Sequence, residues 1–165
     1  MEALIIEILK ILIPFILGGV SGFTFLRFWY KKERRFFKNI QKPFVIFRLT
    51  NNQRDMELEL EMLKNNGLFS TPTAVLTDAR SLDSISGQSL VIIAIDKDTT
   101  ETQFETVYKK SADQRVPVII YTLGDSRIPL CDSELVKTYS KRVIVNQPLR
   151  LVSDIFTILS TSPDK

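Results

Sequence analysis

Histidine is absent from this 165-residue chain, and cysteine and tryptophan occur once each, as Cys131 and Trp29. Without imidazole or paired thiols, the usual zinc sites, Ser-His or Cys-His nucleophile systems and disulfide frameworks cannot be assembled. No GxGxxG or GxxxxGKS phosphate loop, internal repeat or low-complexity tract occurs either. No metal, cofactor or catalytic residue is therefore expected, and a lone cysteine fits a reducing compartment. The net charge of +3 is not spread through the chain, because six basic residues (Lys31, Lys32, Arg34, Arg35, Lys38, Lys42) form one block. Without that block and its Glu33 the remainder is slightly acidic, so the basicity belongs to a membrane edge and duplex nucleic acid is not an expected partner.

Ahead of that block lies an apolar run. Residues 11–26 carry no charge. Extended over residues 3–30, they predict a single helix able to span roughly 30 Å of hydrocarbon at about 1.5 Å per residue. A cleaved signal would carry its positive charges before the apolar core, whereas here Phe28, Trp29 and Tyr30 form an interfacial belt and the basic block follows. The expected arrangement is a single-pass anchor in the inner or plasma membrane, with the C-terminal domain cytoplasmic by the positive-inside rule. Glu7, Lys10, Pro14, Gly18, Ser21 and Gly22 recur at helical spacing on one face. Gly18 and Gly22 make a GxxxG pair that permits close backbone approach, so membrane lipid and further copies of the chain are the expected partners of this helix.

Residues 31–43 read as a basic juxtamembrane connector that Pro43 closes, residues 44–160 as one cytosolic domain, and residues 161–165 as a tail. Apolar runs at 44–49, 73–77, 90–95, 117–122 and 142–146 predict five strands, the third and fourth apolar enough to be buried on both faces of a parallel sheet. Helices are expected over 55–66, 101–113, 133–139 and 149–159, with a short turn near 81–86. The fold class is thus α/β: a three-layer domain on a five-stranded parallel sheet, preceded by a transmembrane helix. The segment "MELELEML" alternates like a strand, but Met56, Leu60 and Leu63 share a helical face and "NNG" follows as a stop, so helix is expected.

Ligands of such sheets sit at the carboxyl ends of the strands, next to the point where strand order reverses. The loops there contain Thr50, Asn51, Asn52, Arg54, Arg80, Asp96, Thr122 and Arg127, whose arginines, hydroxyls and amides suit an anionic, nucleotide-like ligand. Helix capping accounts for several of the same residues.

Asp96 after the third strand, "PVIIYT" ending in Thr122, and "RVIVNQPLRLVSDIFTIL" resemble the receiver domains of two-component signalling, over about residues 44–160. The resemblance implies a flavodoxin-like, Rossmannoid fold, an Asp that takes phosphate, a Thr after the fourth strand and a Lys-Pro pair after the fifth. Gln147 stands where that lysine would be, and "LTNNQRD" lacks the paired acids that would hold magnesium, so a degenerate, non-phosphorylated version is implied. The layout is similar to small prokaryotic defence effectors that join a Rossmann-like sensor, such as the CRISPR-associated Rossmann fold, to a membrane helix. The expectation is a non-enzymatic sensor or effector that controls helix self-association, by pore formation or membrane disruption, in antiviral defence. A receiver-like adapter docked at the membrane is the alternative. A Toll/interleukin-receptor-like NAD hydrolase, which would draw on Glu101 or Glu105, is a third reading.

Overall fold

The computed structural model describes the backbone of residues 2–50, 56–70, 75–125 and 128–161, with side chains from residue 18 onward. It divides into two compact units, Met1–Lys38 and Asn39–Lys165.

Helix α1 spans Glu2–Ile40. It stops three residues before Pro43 because proline drives the residue ahead of it out of the α region. Lys42 N–H closes the last turn onto the Asn39 carbonyl at 3.2 Å, and Lys38 lies where a cation complements the helix dipole. The connector expected over residues 31–43 is therefore helical as far as Ile40. In the N-terminal unit all described side chains are exposed, Phe23, Phe25, Leu26, Phe28 and Trp29 among them. Ser21 Oγ donates to the Gly18 carbonyl at 3.0 Å and Thr24 Oγ1 to the Val20 carbonyl at 2.8 Å, while Trp29 Nε1 donates to Glu33 Oε1 at 3.0 Å. Among the described residues no helix is long and apolar enough to cross a membrane.

In the second unit the chain runs β1 (Phe44–Arg48), α2 (Glu57–Asn65), β2 (Val75–Leu76), a 3-10 turn (Leu82–Ile85), β3 (Leu90–Ala94), α3 (Glu101–Asp113), β4 (Val118–Tyr121), a second 3-10 turn (Pro129–Asp132), α4 (Glu134–Thr138), β5 (Arg142–Val145) and α5 (Pro148–Thr161). All strand pairs are parallel, in the order β2-β1-β3-β4-β5, a flavodoxin-like topology. β3 and β4 are buried throughout, and β1 is buried up to Arg48. Successive side chains therefore feed two cores. Phe44, Ile46, Leu90, Ile92, Ile119 and Tyr121 face Met56 and Leu63 of the α2 segment and Leu151, Ile155 and Leu159 of α5. Val45, Phe47, Val91, Ile93, Val118 and Ile120 face Phe104, Val107 and Tyr108 of α3. Ile40, the last residue of α1, is buried in the first of these cores at 1% exposure.

The expected elements are present, with β2 reduced to two residues; the start of the 73–77 run lies outside the described residues. The period-two pattern in α2 also has a physical account. Leu58 is exposed, whereas Glu59 turns inward and accepts a hydrogen bond from the Tyr121 hydroxyl of β4. Polar and apolar positions are thus exchanged on one turn of a helix. Tyr121→Phe removes that donor from a buried carboxylate and is expected to lower stability in urea by about 1–3 kcal/mol. The double variant Glu59→Leu, Tyr121→Phe should recover most of the loss, since an apolar pair leaves no acceptor unmet.

Candidate functional site

From β1 the chain moves outward to β2 and then returns past β1 to β3, so strand order reverses between β1 and β3. Asp96 stands at this reversal, two residues beyond Ala94, at 4% exposure. Its backbone N–H donates to Thr99 Oγ1 at 2.9 Å, and its Oδ1 accepts from the Asp98 N–H and the Thr99 hydroxyl, each at 3.0 Å. Thr99 Oγ1 also lies 2.8 Å from the Leu49 carbonyl, so a single hydroxyl ties the loop after β3 to the end of β1. Asp96 Oδ2 is buried with no hydrogen-bond partner among the described residues. One oxygen is thus engaged in loop geometry and the other is shielded, an arrangement that organises a turn and presents no open carboxylate.

The remaining expected site residues are spread along the carboxyl edge. Thr50, half-buried, follows Leu49 and shares the β1 end with the Asp96 loop. Thr122 is buried after β4; its N–H donates to the Val145 carbonyl at 2.9 Å and its hydroxyl to the Asp125 carbonyl at 2.6 Å, which closes the following turn. Arg80 is exposed beyond β2 at the sheet edge, in a loop where its N–H bonds Asp78 Oδ1 at 2.8 Å. Asn51, Asn52, Arg54 and Arg127 lie outside the described residues, as do the side chains of Glu7, Lys10 and Pro14. Glu101 is exposed in the first turn of α3, and Glu105 pairs with Lys109 on the same helix at 2.7 Å. Among the described residues no group of His, Cys, Asp or Glu could hold a metal ion.

A cavity of about 520 Å³ opens between the ends of β4 and β5. Its lining includes Thr122 and Asp125 after β4, Asn146 and Arg150 after β5, and Cys131 and Asp132 of the second 3-10 turn. Of these, the sequence singles out Thr122 and places Asp125 and Asn146 in the loops at the carboxyl ends of β4 and β5, whereas Ile128, Cys131, Asp132, Ile144 and Arg150 fall outside its candidate loops. The long connection from β4 to α4, interrupted by Pro129, and the start of α5 after β5 supply the rest of the lining, and nothing in the local sequence links them. Asp125 Oδ1 is 3.8 Å from Lys97 Nζ, a long and partly solvated pair of little energetic weight. Burial, with a smaller contribution from the Asp132 carboxylate, pushes the Cys131 thiol up to about 11. The cavity therefore presents a neutral thiol at physiological pH.

Two outcomes follow from this geometry. Thr99→Val should cost about 1–3 kcal/mol in urea unfolding, since the Asp96 N–H loses its acceptor and the hydroxyl proton that Asp96 Oδ1 and the Leu49 carbonyl compete for is lost in buried surroundings. Alkylation of Cys131 should accelerate about tenfold per pH unit from pH 8 upward, because only the thiolate reacts, and should not level off below about 11. Asp132→Asn should bring that plateau to lower pH.

No protein-family model matches the chain, and no curated protein matches it.

Proposed function

We propose that this protein is a membrane-anchored, non-enzymatic sensor or effector. Its α/β unit binds a small ligand or partner at the carboxyl edge of the sheet and thereby controls self-association of α1 in the inner or plasma membrane, with the α/β unit on the cytoplasmic side. The observation that carries this reading is the continuity of α1 from its apolar run through the basic block to Ile40, which is buried in the α/β core. A rearrangement at Ile40 would reach the helix without passing through a flexible linker. Two further features support it. A Cβ added at Gly18 or Gly22 would meet nothing within 4 Å, so no packing among the described residues calls for glycine there. The basic residues after Tyr30 are placed to hold anionic lipid and to keep the following domain on that side. Association would permeabilise the membrane, as in prokaryotic antiviral defence; fold alone does not assign this role. A ligand acts in this scheme only through different affinities for the separate and associated arrangements.

A receiver-like adapter without a ligand is the second reading, favoured by the enclosed Asp96 and by the Thr122 hydroxyl committed to its own turn.

The test uses a Ser21→Cys, Cys131→Ser chain in native membranes. Oxidative cross-linking should give a dimer, and Gly18→Leu or Gly22→Leu should reduce it about tenfold, on the order of the 1–2 kcal/mol found for membrane helix contacts. The same substitutions should restore growth to cells that overproduce the protein. Cross-linking unchanged by leucine, or release of the chain from membranes by alkaline carbonate, would overturn the proposal.

A further inference from the structure

From Arg27 to Lys38, α1 carries six cations and a single acid, Glu33. At about 3.6 residues per turn, Arg27, Lys31, Arg34, Arg35 and Lys38 fall within an arc of about 100° and form a stripe roughly 16 Å long. Lys32 lies off it, on the flank. All five stripe residues are exposed, and none takes part in an ion pair among the described residues. Glu33 belongs to the opposite side of the helix, where its Oε1 accepts the Trp29 Nε1 proton at 3.0 Å, so no acid interrupts the stripe. Gly18, Gly22 and Trp29 share that opposite side. The stripe starts one residue before the belt of Phe28, Trp29 and Tyr30, and it continues directly from the exposed apolar surface of Phe23, Phe25 and Leu26.

We infer that this stripe is a binding site for the phosphate headgroups of anionic phospholipids. Arg27 reaches them from the hydrocarbon side by extending its long stem, and the other four meet them from the water side. Attraction between a surface cation and anionic lipid fades within a Debye length, so charges gathered on one face act on the same few headgroups, which charges spread around the helix do not. Nucleic acid would match the cations but not the apolar surface from which they continue. The inference deepens the proposed function by narrowing the basic block to one face and by adding Arg27, and it rests on that reading for the placement of α1 in a membrane. Because stripe and glycines lie on opposite sides, lipid held on one leaves the other open to a second copy.

Trp29 is the chain's single tryptophan and lies within the segment, so energy transfer from it reports which lipids gather there. The full chain is reconstituted at low salt in phosphatidylcholine vesicles that hold a trace of phosphatidylglycerol or phosphatidylcholine, each labelled with dansyl on an acyl chain. Labelled phosphatidylglycerol should be favoured about fivefold, the contribution of one cation near a membrane surface, and the preference should vanish at high salt. Lys31→Gln should at least halve it, and Lys31→Gln with Arg35→Gln should bring it close to unity. Lys32→Gln, which removes a charge at nearly the same depth from the flank, should leave it nearly unchanged. An Arg35→Phe, Phe36→Arg chain keeps the net charge but moves one cation across the helix, and should lose at least half of the preference. Soluble glycerol phosphate should not displace the labelled lipid. Equal transfer to both lipids, a loss on Lys32→Gln as large as on Lys31→Gln, an unchanged preference in the Arg35→Phe, Phe36→Arg chain, or displacement of the lipid by glycerol phosphate or single-stranded RNA would overturn the inference. Cross-linking of the Ser21→Cys, Cys131→Ser chain separates the two readings. A cross-link without lipid preference sinks the headgroup site and leaves the sensor reading standing, whereas lipid preference without a cross-link confirms the site and sinks helix self-association.

Discussion

Burial of β1, β3 and β4 on both faces is the constraint from which the α/β unit follows. A strand with apolar side chains on both sides must find cover on both, and its backbone groups must be paired by neighbouring strands because water does not reach them. Parallel pairing meets the second demand and helices on either face meet the first. Polar chemistry is thereby expelled from the sheet body to the strand ends. Asp96, Thr99 and Thr122 all sit at those ends, and all are buried. In this fold the useful polar groups and the groups that terminate strands compete for the same few positions.

At the β1/β3 reversal, strand termination has won. The loop after β3 must turn sharply into α3 while its first N–H is already out of water. Thr99 supplies an acceptor to that N–H and Asp96 Oδ1 supplies one to the next turn, so two side chains replace the solvent that the backbone has lost. Oδ1 is thereby committed to the turn, while the buried Oδ2 has no hydrogen-bond partner among the described residues. Between β4 and β5 the balance differs. β5 is an edge strand, its burial incomplete, and Thr122 closes the turn after β4. The long connection before α4 then leaves room for a cavity whose acids and guanidinium are not engaged in ending strands.

This difference also sets what could be read in the sequence. Runs such as "LVIIAI" and "PVIIYT" announce doubly buried strands, and α3 over 101–113 follows from helical periodicity, because burial leaves its mark on consecutive residues. The cavity leaves no such mark: Cys131, Asp132 and Arg150 come from a 3-10 turn and a helix start separated by β5, and nothing local links them. Glu59 was misleading for a related reason. Its inward placement depends on Tyr121, 62 positions away, so the alternation in "MELELEML" mimics a strand until the partner is known. Asp96 shows the opposite limit: its position was legible, but whether its oxygens were open or engaged depended on Thr99 and on the distant Leu49 carbonyl.

The N-terminal helix poses a problem that the α/β unit solves internally. An α-helix pairs its own backbone, and the Ser21 and Thr24 hydroxyls bond back to carbonyls one turn earlier, so in this stretch even the hydroxyls ask little of water. Its apolar side chains are another matter, because Phe23, Phe25, Leu26 and Phe28 are exposed. A helix that needs no polar partner but displays a continuous apolar surface is poorly matched to water and well matched to hydrocarbon. In hydrocarbon the ordering force between helices is no longer burial of apolar area, since lipid covers that equally well, and close backbone contact takes its place. If α1 lies in a membrane, as proposed, Gly18 and Gly22 would be the part of it that distinguishes an associating helix from a passive anchor. On the proposed reading the basic block would set the depth of α1 in the membrane, and the burial of Ile40 would be the point at which the α/β core acts on the end of the same helix.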